Sequence, residues 1–167
     1  RREEAIQAIN HQGRLNDIDL HPNIKATQDK ALLAQESQLI IPVLASKDFR
    51  STMQEFAPYL TPKHIIIHAT KGLDIKDLSS YDKDYALDKR DIFTMSQVIR
   101  QETNVRRIGC IAGPNLAIEI QENKPTASVI ASRYDEVIKL GSDTLKSEDF
   151  YIFSSHEMIG TEIVAAL

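Results

Sequence analysis

The chain has 167 residues, 42% hydrophobic and 26% charged, with a net charge of -4 and a single cysteine. That length can bury a core without metal or cross-links, and one cysteine excludes an internal disulfide. Charges of both signs are interspersed, which gives no basic footprint for nucleic acid, and no apolar run approaches a bilayer span. No stretch reads as a secretory signal, and Cys110 sits in an apolar setting that suits an inert thiol in a reducing compartment. Cytoplasm is the expected location. The chain opens at Arg1-Arg2 without a methionine and stops at Leu167 inside an apolar helical pattern, so a segment of a longer protein is expected.

Ala5, Ile6 and Ile9 recur at helical spacing and predict a helix over 2–10, closed by a turn at Gln12-Gly13. His21-Pro22-Asn23 is a turn, and 23–27 reads as a short strand. Asp29 is placed to cap a helix carrying Ala31, Leu32, Leu33 and Ala34. Leu39 to Ser46 is apolar except at its last residue and reads as a buried strand. A distortion is expected at Pro42, which has no N–H for a ladder. Ser46 is placed to cap the next helix, where Phe49, Met53 and Phe56 fall at i, i+4 and i+7. That spacing marks core packing, not a cofactor box.

His64 to Leu73 reads HIIIHATKGL. Ile65, Ile66 and Ile67 suit a strand buried on both faces, as in a parallel sheet covered by helices. Lys71 then stands at the carboxyl end of the strand, where open α/β sheets bind ligands. An ammonium there can meet a phosphate or a carbonyl oxygen; a solvated lysine in an ordinary turn is the plainer alternative. Residues 74–91, crowded with Asp and Lys, read as a solvated surface excursion, and helical spacing returns over 92–102.

A strand over 108–112 leads into Gly113-Pro114-Asn115 and a helix over 116–120. Glycine lets a ligand approach the backbone, proline suits a first helical turn, and the N–H groups that follow can face an anion. Strand, helix, strand follow at 127–131, 135–142 and 150–153. Ser154 and Glu157 have capping-box spacing before a last helix with Ile159, Ile163, Val164 and Leu167 apolar. The alternation predicts an α/β fold, a doubly wound, mostly parallel sheet with helices on its faces.

Arg1-Arg2 before a helix can clamp a phosphate bidentately, although surface arginines are the commoner case. His64 and His68 lie four apart, but that spacing on a strand does not make a metal site. No cysteine or carboxylate completes a ligand set, so no metal is expected. The sequence holds no G-x-S-x-G, no P-loop and no G-x-G-x-x-G pattern.

Four stretches in order resemble the bacterial-type NAD(P)-dependent glycerol-3-phosphate dehydrogenases. Arg1-Arg2 with Glu4, Ala8, Ile9 and Asn10 is similar to the family's RR-x-E and A-I-N segment. Ala69-Thr70-Lys71-Gly72-Leu73 is similar to its A-T-K-G-L motif. Gly113-Pro114-Asn115 with Ala117 and Glu119 resembles G-P-[NS]-x-A-x-E, with Pro125-Thr126-Ala127 for P-T-A. Ser154-Ser155 and Gly160-Thr161-Glu162 resemble the approach to the substrate domain. The sequence departs from the pattern at Leu44-Ala45-Ser46, where the family has V-P-S, and it has no Y-L-P-G between Gly13 and Asn23.

The resemblance implies a Rossmann-like fold lacking its first strand and glycine-rich turn, with a partial NAD(P)-binding domain over 1–153 and the start of an all-α substrate domain over 154–167. It implies hydride transfer between NAD(P)H and dihydroxyacetone phosphate to give sn-glycerol 3-phosphate, feeding glycerophospholipid synthesis. Lys71 would touch substrate and cofactor, Gly113 and Asn115 would hold substrate, and Ala117 would lie against the nicotinamide. Arg1 and Arg2 would meet the 2′-phosphate of NADPH, though the pair alone does not choose between NADH and NADPH. The general acid/base lysine would fall just after Leu167, and a homodimer is expected by analogy. The alternatives are a non-catalytic binding module that keeps the fold, or a related dehydrogenase for another small substrate.

Overall fold

A computed structural model describes residues 2–75 and 89–167, which fall into two units, Arg1–Glu36 and Ser37–Leu167. In the first, α1 (Arg2–Gln7) runs straight into a π-helical turn, Ala8–Gln12. Gly13 ends it at φ 65°, a left-handed conformation that costs glycine little, and its N–H reaches back to Ala8 and Ile9. A small hairpin follows, β1 (Arg14–Leu15) against β2 (Ile18–Asp19). Residues 23–27 do not form the expected strand. The backbone of Ala26 is taken instead by the Asn10 side chain, which donates to its carbonyl and accepts from its N–H, both at 2.8 Å. Asp29 does cap α2 (Lys30–Glu36): its carboxylate accepts from Leu32 N–H at 3.0 Å.

The second unit is built on β3 (Leu39–Ile40), α3 (Ser46–Phe56), β4 (Ile65–His68), β5 (Leu73–Ile75), β6 (Ile92–Thr94), α4 (Met95–Glu102), β7 (Arg107–Ala112), α5 (Ala117–Gln121), β8 (Thr126–Ser132), α6 (Asp135–Leu145), β9 (Phe150–Ser155) and α7 (Met158–Ala166). Five strands form one sheet in the order β3-β4-β7-β8-β9. Every pair is parallel except β7–β8, where Gly109 faces Ser132 and Ala112 faces Val129. The exception has a local cause. A parallel return needs a crossover that carries the chain back along the strand, and the five-residue α5 is too short to supply one.

Alternation of side chains across β4 and β7 splits the core between two layers. On one face Ile66, Ile108 and Cys110 pack with Phe49 and Met53 of α3, Met95, Val98 and Ile99 of α4, and Met158 of α7. On the other, Ile65 and Ile67 meet Val137 and Leu140 of α6. Helices on both faces of a mostly parallel sheet are the doubly wound arrangement that the alternation of elements predicts.

Several local expectations change. The apolar run stops being strand at Ile40, because Pro42 cannot donate; its carbonyl instead accepts from Ala69 N–H at 2.9 Å. Ser46 is the first residue of α3 and not its cap, since Ala45 holds that position without a side-chain bond. Residues 92–94 are strand, and α4 starts at Met95 behind a capping box of Thr94 and Gln97. Ser154 belongs to β9, and Glu157 caps α7 by accepting from Gly160 N–H at 3.1 Å.

The charged stretch is not all solvated. Leu73–Ile75 pairs antiparallel with Ile92–Thr94, and Asp74 accepts two bonds from the Arg50 guanidinium, at 2.9 and 2.7 Å. Residues 76–88 lie outside the described part. The apolar residues expected to seat α7, Ile159, Ile163, Val164 and Leu167, are all exposed; Met158 and Glu162 are buried in their place.

Candidate functional site

Lys71 owes its position to the strand before it. All four residues of β4 are buried, and the segment beyond is laced to the β3–α3 loop by Ala69 N–H to Pro42 O and by Leu44 N–H to Thr70 Oγ1 at 3.1 Å. Gly72 then turns the chain at φ 130°, with Ser46 so near that a Cβ would lie 2.8 Å from its Cβ and Oγ. Only glycine fits both that φ and that approach. Lys71 is left exposed at the carboxyl edge of the sheet, and its Nζ donates to Gly113 O at 2.8 Å. An ammonium has three donors, and among the described residues two are left for a ligand.

Gly113 follows the last residue of β7, the strand beside β4. A side chain at 113 would come within 2.6 Å of both Ala127 O and Ser128 Oγ, so the glycine is what lets the turn lie against β8. Asn115 holds the turn from behind: its amide donates to Ser128 Oγ, and its Oδ1 accepts from Thr126 Oγ1 at 2.6 Å. The helix beyond begins at Ala117, with Leu116 as its cap and no side-chain capping bond. Five residues sum few peptide dipoles, so the helix adds little to anion binding. The charge here is that of Lys71.

These pieces border a cavity of about 670 Å³. One wall is Lys71, Ala112 and Gly113; across from it, α7 supplies Gly160, Thr161 and Val164. The largely apolar rim carries the Lys71 ammonium and the Glu157 carboxylate, which accepts from Gly160 N–H, and the ammonium can meet a flat, partly charged molecule and polarise one of its oxygens.

Behind the cavity lies a buried polar network. His68 Nε2 sits 3.0 Å from Glu162 Oε1 and 3.3 Å from Ser96 Oγ, and Ser96 N–H donates to the same carboxylate oxygen at 2.8 Å. Desolvation alone would raise the Glu162 pKa, but the bonds from His68 and Ser96 outweigh it and hold the carboxyl below its usual range. An ionised carboxylate only accepts, so Nε2 carries the proton. Phe49 meets the imidazole edge-on, ring centres 5.8 Å apart. Cys110, cross-strand neighbour of His68, completes a trio whose donor atoms lie within 4.8 Å of one another. Burial, then the Glu162 charge, push its thiol up to about 12. The fold thus brings to His68 the cysteine and carboxylate that sequence spacing did not offer, as a network in which Oε1 already accepts two bonds. Among the described residues His68 Nδ1 and Glu162 Oε2 have no partner.

Comparison with known proteins places the chain in a family. Residues 1–138 match the family model described as the N-terminus of NAD-dependent glycerol-3-phosphate dehydrogenase. The chain belongs to that family. Among curated glycerol-3-phosphate dehydrogenases (NAD(P)+), that of Saccharophagus degradans is 35% identical over 148 residues, 89% of this chain and 37% of the relative. That of Acinetobacter baylyi is 31% identical over 165 residues, 99% of this chain and 42% of the relative. The chain therefore spans about two-fifths of the length of these relatives. Of solved structures, the glycerol-3-phosphate dehydrogenase of Coxiella burnetii superposes with a TM-score of 0.79 at 23% identity, covering 97% of this chain and 46% of that one. The Dunaliella salina enzyme gives 0.84 at 20% identity, covering 98% and 27%. These likenesses establish the fold.

Within the family's motifs, Lys71 and Gly113 are in direct contact although 42 residues apart. Asn115 spends its amide on β8, and Ala117 is exposed at the first turn of α5. Arg2 opens α1 in the first unit, while Arg1 lies outside the described residues. Sequence reading missed Ser96 and named Thr161 and Glu162 only within a family-like stretch, without a role. One signal was available for Glu162: it is a lone carboxylate in the apolar helix MIGTEIVAAL. Among the described residues no helix is long and apolar enough to cross a membrane.

Proposed function

We propose that this chain is part of an oxidoreductase that interconverts dihydroxyacetone phosphate and sn-glycerol 3-phosphate with NAD(P)H, serving glycerophospholipid synthesis. The observation that carries the reading is the Lys71 Nζ to Gly113 O bond at 2.8 Å, which joins two motifs of the family at the mouth of one cavity. The residues present fit a nicotinamide and a small phosphorylated ketone. Val129, Val164 and Pro114 give the rim an apolar surface for a ring, and Lys71 gives it one cation for a ketone or phosphate oxygen.

When bound, the nicotinamide supplies the hydride that turns the ketone into a secondary alcohol. Lys71 stabilises the negative charge that grows on the ketone oxygen, and the carbonyl of Gly113 aims its ammonium. Gly113 and Asn115 shape the substrate's resting place, the asparagine by fixing the turn against Thr126 and Ser128. By the family resemblance Ala117 would border the nicotinamide, and Arg1 and Arg2 would be the residues to receive a 2′-phosphate were the cofactor NADPH. Residues 1–153 form part of the cofactor domain and 154–167 begin the helical substrate domain. The parent is a cytoplasmic homodimer.

The test is NAD(P)H oxidation by the full-length protein with dihydroxyacetone phosphate, with intact mass recorded on the same sample. Turnover at steady rate is expected. None, from a folded full-length protein, would mean the substrate is wrong or the module does not catalyse.

A further inference from the structure

We propose that Glu162 is a positioning residue for the reacting cavity, locking the rotation and register of α7 so that its Thr161–Val164 face stands at a fixed distance from Lys71. The inference rests on the reading that this cavity is where the ketone is reduced.

Within this chain the apolar seat of α7 is Met158, packed in the main core cluster. Ile159, Ile163 and Val164 are exposed, the last by 74%, and the helix buries only Met158 and Glu162. One face of the same short helix lines the cavity through Gly160, Thr161 and Val164. A rotation of one residue, about 100°, would carry Thr161 out of the wall. What resists it is the Glu162 carboxylate, whose Oε1 takes one bond from His68 on β4 and one from the Ser96 N–H at the head of α4. His68 is three residues before Lys71 on the same chain segment. The carboxylate therefore refers α7 to the element that carries the ammonium, and supplies an acceptor for one of the first-turn N–H groups of α4.

Energy alone does not account for a buried carboxylate at this place. Apolar side chains of the same volume commonly replace a buried pair at no loss of stability, whereas removal of one partner is costly. Hydrogen bonds have direction and apolar packing does not, so the pair specifies one seating of the helix.

The test uses the full-length protein and three variants, Glu162→Met, His68→Leu and the double substitution. Glu162→Met takes the acceptor from both His68 Nε2 and the Ser96 N–H, and His68→Leu leaves the buried carboxylate with the Ser96 N–H alone, so each should lower the melting temperature. The double variant should melt above both single variants, the Ser96 N–H still lacking its acceptor, yet kcat should stay at least tenfold below the parent, with the Kd for NAD(P)H shifted less than threefold. Recovery of both stability and kcat in the double variant would make the pair purely structural and overturn the proposal. A parent without turnover would sink the functional reading, and hydrogen exchange of 158–166 would then decide on the clamp. Faster exchange in Glu162→Gln, by tenfold or more, supports it; unchanged protection overturns it.

Discussion

Lys71 is exposed and bonds Gly113 O at the sheet edge, outside the core, so its removal should touch catalysis and not folding. For Lys71→Ala in the full-length protein, kcat is expected to fall about 10²–10³-fold, the range for losing one preorganised donor to a developing oxyanion. The melting temperature should stay near that of the parent, as for an exposed side chain outside the core. Steady-state kinetics beside a thermal melt would check both, and near-normal kcat would remove Lys71 from the mechanism. Gly113 behaves oppositely. A Cβ there would press on Ala127 O and Ser128 Oγ at 2.6 Å, so Gly113→Ala should push the turn off β8. Overpacking of this kind costs about 1–3 kcal/mol, read from urea unfolding. The positions of Lys71 and Gly113 at the ends of buried strands were readable in the sequence, but only the family motifs singled them out, because a solvated lysine and an ordinary strand-to-helix turn read the same way locally. The role of Glu162 was not readable, because helical spacing ranks faces by hydrophobicity and assigns a carboxylate to solvent.

At the scale of elements, Arg50 is the tie between α3, β5 and α4. Its guanidinium bonds Asp74 twice, bonds Glu102 and Gln101, and lies 5.5 Å over the Phe93 ring. Burial works against its charge, but the bonds to Asp74 and Glu102 outweigh it and the pKa is raised. Arg50→Ala should cost about 2–3 kcal/mol, as expected for charge-assisted bonds that are partly withdrawn from water. Urea melts of Arg50→Ala and Arg50→Lys would test it, and equal stability of all three proteins would exclude the tie. The two strands it fastens, β5 and β6, were invisible in the sequence. Three residues each are too few to show a period, and their pairing joins Leu73 to Thr94 across the intervening charged stretch. The isoleucine run at 65–67 was legible because strands buried on both faces need no alternation. Pro42 was legible as a distortion, though not as the acceptor that holds Ala69.

For the whole molecule, the two perturbed acids set opposite ends of the pH–stability profile. The Glu162 pKa is depressed on folding from an ordinary 4.5, so its contribution is complete above that pH and is lost as pH falls through the folded value. The Cys110 pKa is raised from 9.0 to about 12, so the unfolded chain gives up this proton first; the contribution is complete below pH 9 and is lost as pH rises towards 12. Unfolding free energy measured across pH should therefore fall at both ends. Glu162→Gln should flatten the acid limb and Cys110→Ala the alkaline limb. A variant that leaves its limb unchanged would refute the assignment of that group.

The sequence by itself determined the alternation of elements, the buried central strand, the family and the two motifs that meet at the cavity. Each depends on local chemistry: runs of β-branched residues, glycine at forced turns, a cation after a strand. The tertiary structure alone decided that β8 runs antiparallel to β7, that Asp74 is paired, and that Glu162 faces inward to His68 and Ser96. Those outcomes turn on which distant groups arrive beside each other once the sheet closes. A buried polar group takes whichever partner the packing brings within about 3 Å, and no spacing along the chain encodes that distance.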